Sequence, residues 1–496
     1  MKRTLLHHKV FYSFLKGFIL FISFSGRISP AFSQVFCNAY GDLTATSTAN
    51  DIKKCPTGGY IIAGSTGGLG SIGGDALLIR ISEAGNILWQ KTYGGKNAQT
   101  GNKVVALPYG FLLGGTTLSD STGLFNVFIT KTDTLGNVQW TKTIHHKNYW
   151  DILGGLAVFD DGGFAVGSTI YGTSEDILIR RYDINQTLQW TDTISSPESE
   201  RIKDLQVNNW GKLIVAGEIE KASTDIFLAA YSEKGDSLFF TISGTEKDEL
   251  IGGLALHPNN KMVVSATTKN SQGIGQYFLL RFDSLGKEEL AIKEFPENQN
   301  DKKIGPVVWD GSDKYVVLST GITGFYKLIG FFHFDENLDF KCFGFIKGQF
   351  ASMPNAMVVD SNKTCIIAGE TEISPPSLPK IFSIKFNQFN CPFDSAICNN
   401  LDLKVSIEKP EGENFSVFPN PSSGALHLSI PKIYSDNSIK IDLIDLNGRI
   451  YYPTILKEDN YWDIDLSRMT PSVYLIRIYK KRGGEMIALK RIIIQP

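Results

Sequence analysis

The stretch VFCNAYGD (Val35–Asp42) reads as the last piece of a repeat, placed ahead of the first complete copy. In a fuller version, ILWQKTYGG (Ile87–Gly95), Trp89 stands where Phe36 does, Tyr93 where Tyr40 does and Gly94 where Gly41 does. A stray final piece at one end predicts a unit lacking its final piece at the other. Working outward, the segments YIIAGST, FLLGGTT, FAVGST, LIVAGE, MVVSATT, YVVLSTG and CIIAGET share one pattern. Each has apolar residues, a small residue and then a polar one. Aligned on the small residue they fall at Gly64, Gly115, Gly167, Gly217, Ala266, Ser319 and Gly369, which is 49–53 residues apart. A second series follows at matched spacing: DALLIRIS, NVFITKTD, DILIRRYD, DIFLAAYS, QYFLLRFD, KLIGFFHFD and KIFSIKFN. A fixed period of this length signals a repeat architecture.

Each unit holds four strand-like runs. In the second they are NKVVAL, GFLLGGTT, NVFITKTD and NVQWTKTI, cut by Gly, Pro, Asn and Asp. Short runs rich in β-branched and aromatic residues are strands rather than helices. Four strands in about fifty residues, seven times over, predict an all-β, seven-bladed β-propeller. An open solenoid would need distinct caps at both ends; these ends are complementary instead. The seventh unit has NAMVVD, KTCIIAGE and KIFSIKFN but no good fourth strand. Phe36, Tyr40 and Gly41 are therefore expected on a ring-closing strand beside Ile381–Lys385, where it removes two exposed sheet edges.

Within the units, small residues such as Gly154–Gly155 and Gly252–Gly253 suit first strands crowded at the axis. Trp89, Trp140, Trp190 and Phe239 lie on fourth strands, where a large ring fills the widening wedge between blades. Asp75, Asp176 and Asp225 precede third strands and suit turn capping. DTLGN and DSLGK suit the hairpins between third and fourth strands; they lack the alternating carboxylates of a calcium loop.

Bulk properties narrow the function. The chain has 496 residues and a net charge of −2, with 48 Gly, 32 Phe and 18 Tyr. That balance provides no footprint for nucleic acid or anionic lipid. Lys2, Arg3 and Lys9, the apolar run Gly17–Phe24 and the small residues Ala31 and Ser33 form the pattern of a signal peptide over residues 1–33. The apolar run falls short of the roughly 20 residues of a membrane span. Export then makes the six cysteines, Cys37, Cys55, Cys342, Cys365, Cys391 and Cys398, candidates for up to three disulfides of undetermined pairing. Zinc is disfavoured because Cys391 and Cys398 lack the spacing and a neighbouring His. The adjacent His145 and His146 point to opposite faces of a strand. Glycine-rich Gly67–Gly74 precedes no helix and so is no phosphate loop. No catalytic motif, metal or cofactor is expected.

The repeat is similar to the unit GGYIIAGST…D.LLIRI…GN..W.KTYGG of secreted bacterial propellers, over about residues 35–393. Fainter echoes of kelch repeats and of the tryptophan-docking repeats of quinoprotein propellers are present. This resemblance implies a fold and no activity. The texture changes after Cys398. Residues 394–414 read as a linker, and short strands with turns at LNGR and RGGE then predict a small Ig-like β-sandwich over 415–496. Pro419, Asn420, Pro421 and Gly424, then Asp445, Gly448 and Arg449, then Val473 and Tyr474 resemble the type A C-terminal sorting domain of the type IX secretion system. Ser472 departs from the glycine usual there. The resemblance implies a Bacteroidetes-type source, the type IX secretion machinery as partner, and removal of the domain after outer-membrane passage. The propeller, taken as residues 34–393, would then be released or joined to surface lipopolysaccharide. The functional expectation is a monomeric, non-enzymatic propeller, secreted or on the outer cell surface, binding a glycan, peptide or protein through one face. The alternatives are a polysaccharide hydrolase or lyase and a structural, adhesive coat component.

Overall fold

The computed structural model describes residues 36–495, apart from 42–44, 69–73, 96, 119–122, 270–274, 294–299, 324–325, 349–350, 361–362, 373–378, 388–395, 399–401, 405–415, 430–438, 446–448, 458–460 and 481–485. The leader expected over 1–33 lies outside the described residues, as does most of Gly67–Gly74.

Seven antiparallel sheets follow one another along the described chain. The second is typical: Gln99–Leu107, Gly110–Leu118, Phe125–Thr132 and Val138–Ile144 pair in sequence order. The first strand of each sheet packs against the first strand of the next, and Ser47–Lys54 of the first blade packs against Ala351–Val359 of the seventh. The circle is closed, and the protein is a seven-bladed β-propeller.

Closure uses the opening fragment. Phe36–Tyr40 forms the fourth strand of the seventh blade, antiparallel to Lys380–Asn387, with Phe36 opposite Lys385 and Tyr40 opposite Ile381. The reason lies in what fourth strands do elsewhere. Trp89 lies over Gly136 of the next blade's hairpin turn and donates through its indole to the Thr134 carbonyl at 3.1 Å; the Tyr93 hydroxyl donates to the Gly136 carbonyl at 2.9 Å. Trp190 repeats the contact on Gly235, and Phe239 on Gly286. At the junction of blades seven and one, Phe36 lies over Gly85 and the Tyr40 hydroxyl donates to the Gly85 carbonyl at 3.0 Å. Each of these turn glycines has positive φ, which leaves the ring a flat seat without a Cβ.

Charged groups bind the same junction. The Glu83 carboxylate accepts from Lys54, from Lys385 at 2.9 Å, from the Gly59 N–H at 2.7 Å and from the Tyr60 hydroxyl at 2.9 Å. Burial opposes its ionisation, but these donors outweigh burial and hold Glu83 well below the usual carboxylate range. Burial, with Glu83 and Asp360 beside it, pushes the Tyr60 phenol up.

Two short strands continue the outer edges. Ala396–Cys398 pairs parallel with Phe340–Gly348 of blade six, and Asp402–Lys404 pairs parallel with Phe36–Tyr40. Within the segment expected as a linker from 394 to 414, Ala396–Cys398 and Asp402–Lys404 thus supply strands to the ring's sheets. Further on, two four-stranded sheets enclose a core that includes Leu426, Leu443, Trp462, Ile464, Ile476 and Ile492, which is the C-terminal β-sandwich.

Candidate functional site

The axial wall is built by one recurrent irregularity. Among the described residues the first strand of every blade slips register at the same point, as between Ala49 and Asp51 or between Ile202 and Asp204. A bulge of this kind leaves a residue unpaired and turns the strand. The small residue of the repeat faces it: a Cβ at Gly64 or Gly115 would collide with the Thr48 or Thr100 carbonyl. The next blade's bulged strand also frees a backbone N–H, and the polar residue of the repeat takes it. Thr116 accepts from Leu153 at 3.3 Å, Thr169 from Ile202 at 3.2 Å, Glu218 from Ile251 at 3.0 Å and Thr267 from Ile304 at 2.9 Å.

Residues from the first strands of all seven blades line an axial cavity of about 630 Å³. Its charges are paired. Asp51 accepts from Lys53 at 2.8 Å and from the Ile52 and Val104 N–H groups at 2.9 and 3.0 Å. Burial opposes the charge of Lys53, yet Asp51 with Asp204 behind it outweighs burial and raises the ammonium pKa. Asp204 accepts from the Leu205 N–H at 2.9 Å and from Gln206 at 2.9 Å, and Lys103 approaches it from blade two at 3.7 Å. The cavity reaches turns carrying Asn208, Asn209 and Pro258, beside an aromatic cluster in which His257 and Trp309 meet edge-on at 4.2 Å. Among the described residues no group of three or more His, Cys, Asp or Glu is placed to hold a metal ion.

A different surface lies where second strands lead into third strands and one blade leads into the next. Trp150 opens the first strand of blade three, opposite Tyr171 in register. It meets Phe125 of blade two edge-on at 5.4 Å. Tyr149 stacks on His146 at 5.4 Å and 19°. Tyr149 and Trp150 are 39% and 45% exposed, so these rings form an open ledge. Arg201, which pairs with Glu175 and with Glu220 at 2.8 Å, supplies charge near Tyr171. Sequence reasoning missed the ledge. Its one signal was the HHKNYW run, read only for its histidines.

The residues singled out from sequence fall in several places. Asp75 and Asp225 sit against Gly94 and Gly244 after the fourth strands of their own blades. Cys55 and Cys365 are buried free thiols, which corrects the six-cysteine framework: these two take no part in it. Burial pushes the Cys55 thiol up to about 11, so it stays protonated. Cys391 lies outside the described residues, as do the side chains of Cys342 and Cys398.

In the sandwich, Asn420 accepts from the Ile493 N–H at 2.9 Å, between exposed Pro419 and Pro421. Ser422 adds backbone bonds to Ile493 and Gln495, while the Gly424 carbonyl accepts from Leu466 at 2.8 Å. Asp445 accepts from the N–H of exposed Arg449 at 2.9 Å and from the Tyr451 hydroxyl at 3.0 Å. Tyr474, buried next to Val473, donates its hydroxyl to the Thr470 carbonyl at 3.0 Å. Gly448 lies outside the described residues.

Comparison with known proteins bears mainly on this last region. Residues 416–495 match the family described as the secretion system C-terminal sorting domain. No curated protein matches the chain. Among solved structures, a polysaccharide lyase described as an ulvan lyase is 10% identical, with a TM-score of 0.49, covering 69% of this chain and 94% of its own. The β-propeller domain of the Trilobed protease from Pyrococcus furiosus is 9% identical, with a TM-score of 0.42, covering 74% and 99%. No activity is read across from likenesses at this level. Among the described residues no helix is long and apolar enough to cross a membrane. The paired sheets of residues 416–495 are thus a type IX secretion sorting domain, and the chain is a β-propeller exported by that system to the cell surface or beyond.

Proposed function

We propose that the propeller is a non-enzymatic binding module for an extracellular carbohydrate, and that the ledge of Phe125, Tyr149, Trp150 and Tyr171 is where the sugar lies. The observation that carries this reading is the exposure of Tyr149 and Trp150, consecutive in the chain and each set against a neighbouring ring. Flat aromatic faces present apolar surface with little conformational entropy to lose, and a polar rim such as Arg201 with Glu175 orients hydroxyl groups. Loops on a rigid β scaffold are the usual seat of recognition. The axial acids Asp51 and Asp204 each already accept from a neighbouring side chain, Lys53 and Gln206. On this reading residues 1–33 are a leader that delivers the chain to the periplasm, and the sorting domain takes it onward.

The test is a glycan array followed by calorimetric titration of the best ligand, alongside a reducing-end release assay. Binding that Trp150→Ala weakens by about 2 kcal/mol, roughly 30-fold, is the expected result. Sugar release without array binding would replace this reading with an enzymatic one.

A further inference from the structure

Each blade ends in an outer strand whose free N–H and C=O groups invite another strand, and proteins guard such edges with charge or cover. Six of the seven here are guarded. Lys91, Lys142 and Asp192 stand on the outer strands of blades one to three, and Glu288 and Glu289 on that of blade five. The outer strands of blades six and seven are covered by Ala396–Cys398 and Asp402–Lys404. Blade four ends in Ser237–Ser243, SLFFTIS, with no charge along it and no strand beside it among the described residues.

On the face that carries residues 238, 240 and 242 its composition turns apolar. At the three exposed positions where blade three carries Gln189, Thr191 and Thr193, blade four carries Leu238, Phe240 and Ile242. All three are exposed, Phe240 at 45%. They do not serve the next blade, since that role falls to Phe239 on the opposite face, over Gly286. Phe240 is instead braced from behind by Phe227, stacked at 5.3 Å and 21°.

We infer that this strand is the interface for a second copy of the same chain, formed by antiparallel edge-to-edge pairing about a two-fold axis at Phe240. The sequence is self-complementary there. Antiparallel pairing about residue 240 sets Phe240 against Phe240 and Leu238 against Ile242, with serines at both ends and no like charges brought together. Isologous pairing of this kind closes on itself after one partner, so it produces a dimer rather than a fibre. Two four-stranded blades become one eight-stranded sheet, and the three apolar side chains of each copy cover one another.

Sedimentation of the full chain over a concentration series tests this. The expected result is a mass that doubles with concentration, and a Phe240→Lys variant that stays monomeric throughout. A second measurement stands even if that variant folds poorly. Residues directly opposite have Cβ atoms roughly 4.5–5.5 Å apart, so Phe240→Cys forms a covalent dimer on mild oxidation. Thr241→Cys, which faces position 239 instead, does not. A wild-type chain that remains monomeric, a dimer untouched by Phe240→Lys, or equal cross-linking at 240 and 241 would each overturn the inference.

Discussion

Replacing Tyr40 tests ring closure at its narrowest point. The side chain is fully buried in the cluster shared by blades one and seven, and its hydroxyl donates to the Gly85 carbonyl at 3.0 Å while accepting from Asn38 at 3.2 Å. Tyr40→Phe removes only the hydroxyl. Asn38 still donates to the Gly85 carbonyl at 2.9 Å, so no acceptor is stranded and the loss is about 0.5–1.5 kcal/mol. Tyr40→Ala removes the ring as well, which costs about 3–5 kcal/mol at a fully buried site. Against a total stability of roughly 5–15 kcal/mol, the second change approaches opening of the ring. Urea titration followed on the propeller's own transition measures both, with Tyr93→Ala as the comparison. Tyr93 makes the same contact, but at a junction that is also held by continuous chain. If Phe36–Tyr40 closes the circle, Tyr40→Ala also exposes the segment near residue 36 to protease well below the unfolding midpoint, and Tyr93→Ala does not. A Tyr40→Ala loss under about 1 kcal/mol, or equal protease exposure in the two variants, would refute the argument.

Three other outcomes follow from the packing. Asp151 and Arg180 form a buried pair at 2.8 Å within blade three, linking its first and third strands, with side chains 0% and 7% exposed; Asp151→Ala leaves an uncompensated cation and should cost about 3–5 kcal/mol by urea titration, more than Asp151→Leu combined with Arg180→Met. Burial pushes the His333 imidazole down to about 4. The unfolded chain therefore binds more protons between roughly pH 6.5 and 4, so stability is intact above that window and falls through it, by up to about 3 kcal/mol, and His333→Phe should flatten the pH profile of the unfolding midpoint. Gly64→Ala drives a Cβ into the Thr48 carbonyl at the first-blade bulge, whereas Gly95 has open space around it; thermal melts should show a loss of about 1–3 kcal/mol for the first and little change for Gly95→Ala.

The parts of the fold legible in sequence are those where every blade solves one steric problem with the same residue types. The small-then-polar pair recurs because Gly115 makes room for a bulged strand and Thr116 captures the N–H that the next bulge releases. Phe36 and Tyr40 are recognisable because they seat on Gly85 as Trp89 and Tyr93 seat on Gly136. What repetition does not carry is invisible to it. Lys103 and Asp204 stand about a hundred positions apart and meet only because the ring curves. Phe125, Tyr149 and Trp150 converge from loops and strand ends that follow no period. Leu238, Phe240 and Ile242 look like any strand alternation, and only their place on an outer edge makes them surface.

The sorting motif poses the opposite case, since its residues are legible while their roles are internal. Asn420 holds the last strand through Ile493, Asp445 ties a hairpin turn to Tyr451, and Tyr474 anchors the chain at Thr470 from inside the core. Tyr474 satisfies its hydroxyl inside the core, while Asn420 and Asp445 make exposed or half-buried bonds that fix the last strand and a turn, so each helps to hold the sandwich together. The apolar side chains left outside are others: Ile450, Tyr452 and Leu456, on or beside two edge strands. A motif variant that loses export would accordingly lose the sandwich first. Circular dichroism on Asn420→Ala or Tyr474→Phe separates the two effects: a folded domain that is still not exported would assign the motif to direct contact with the machinery, and an unfolded one assigns it to building the surface the machinery reads.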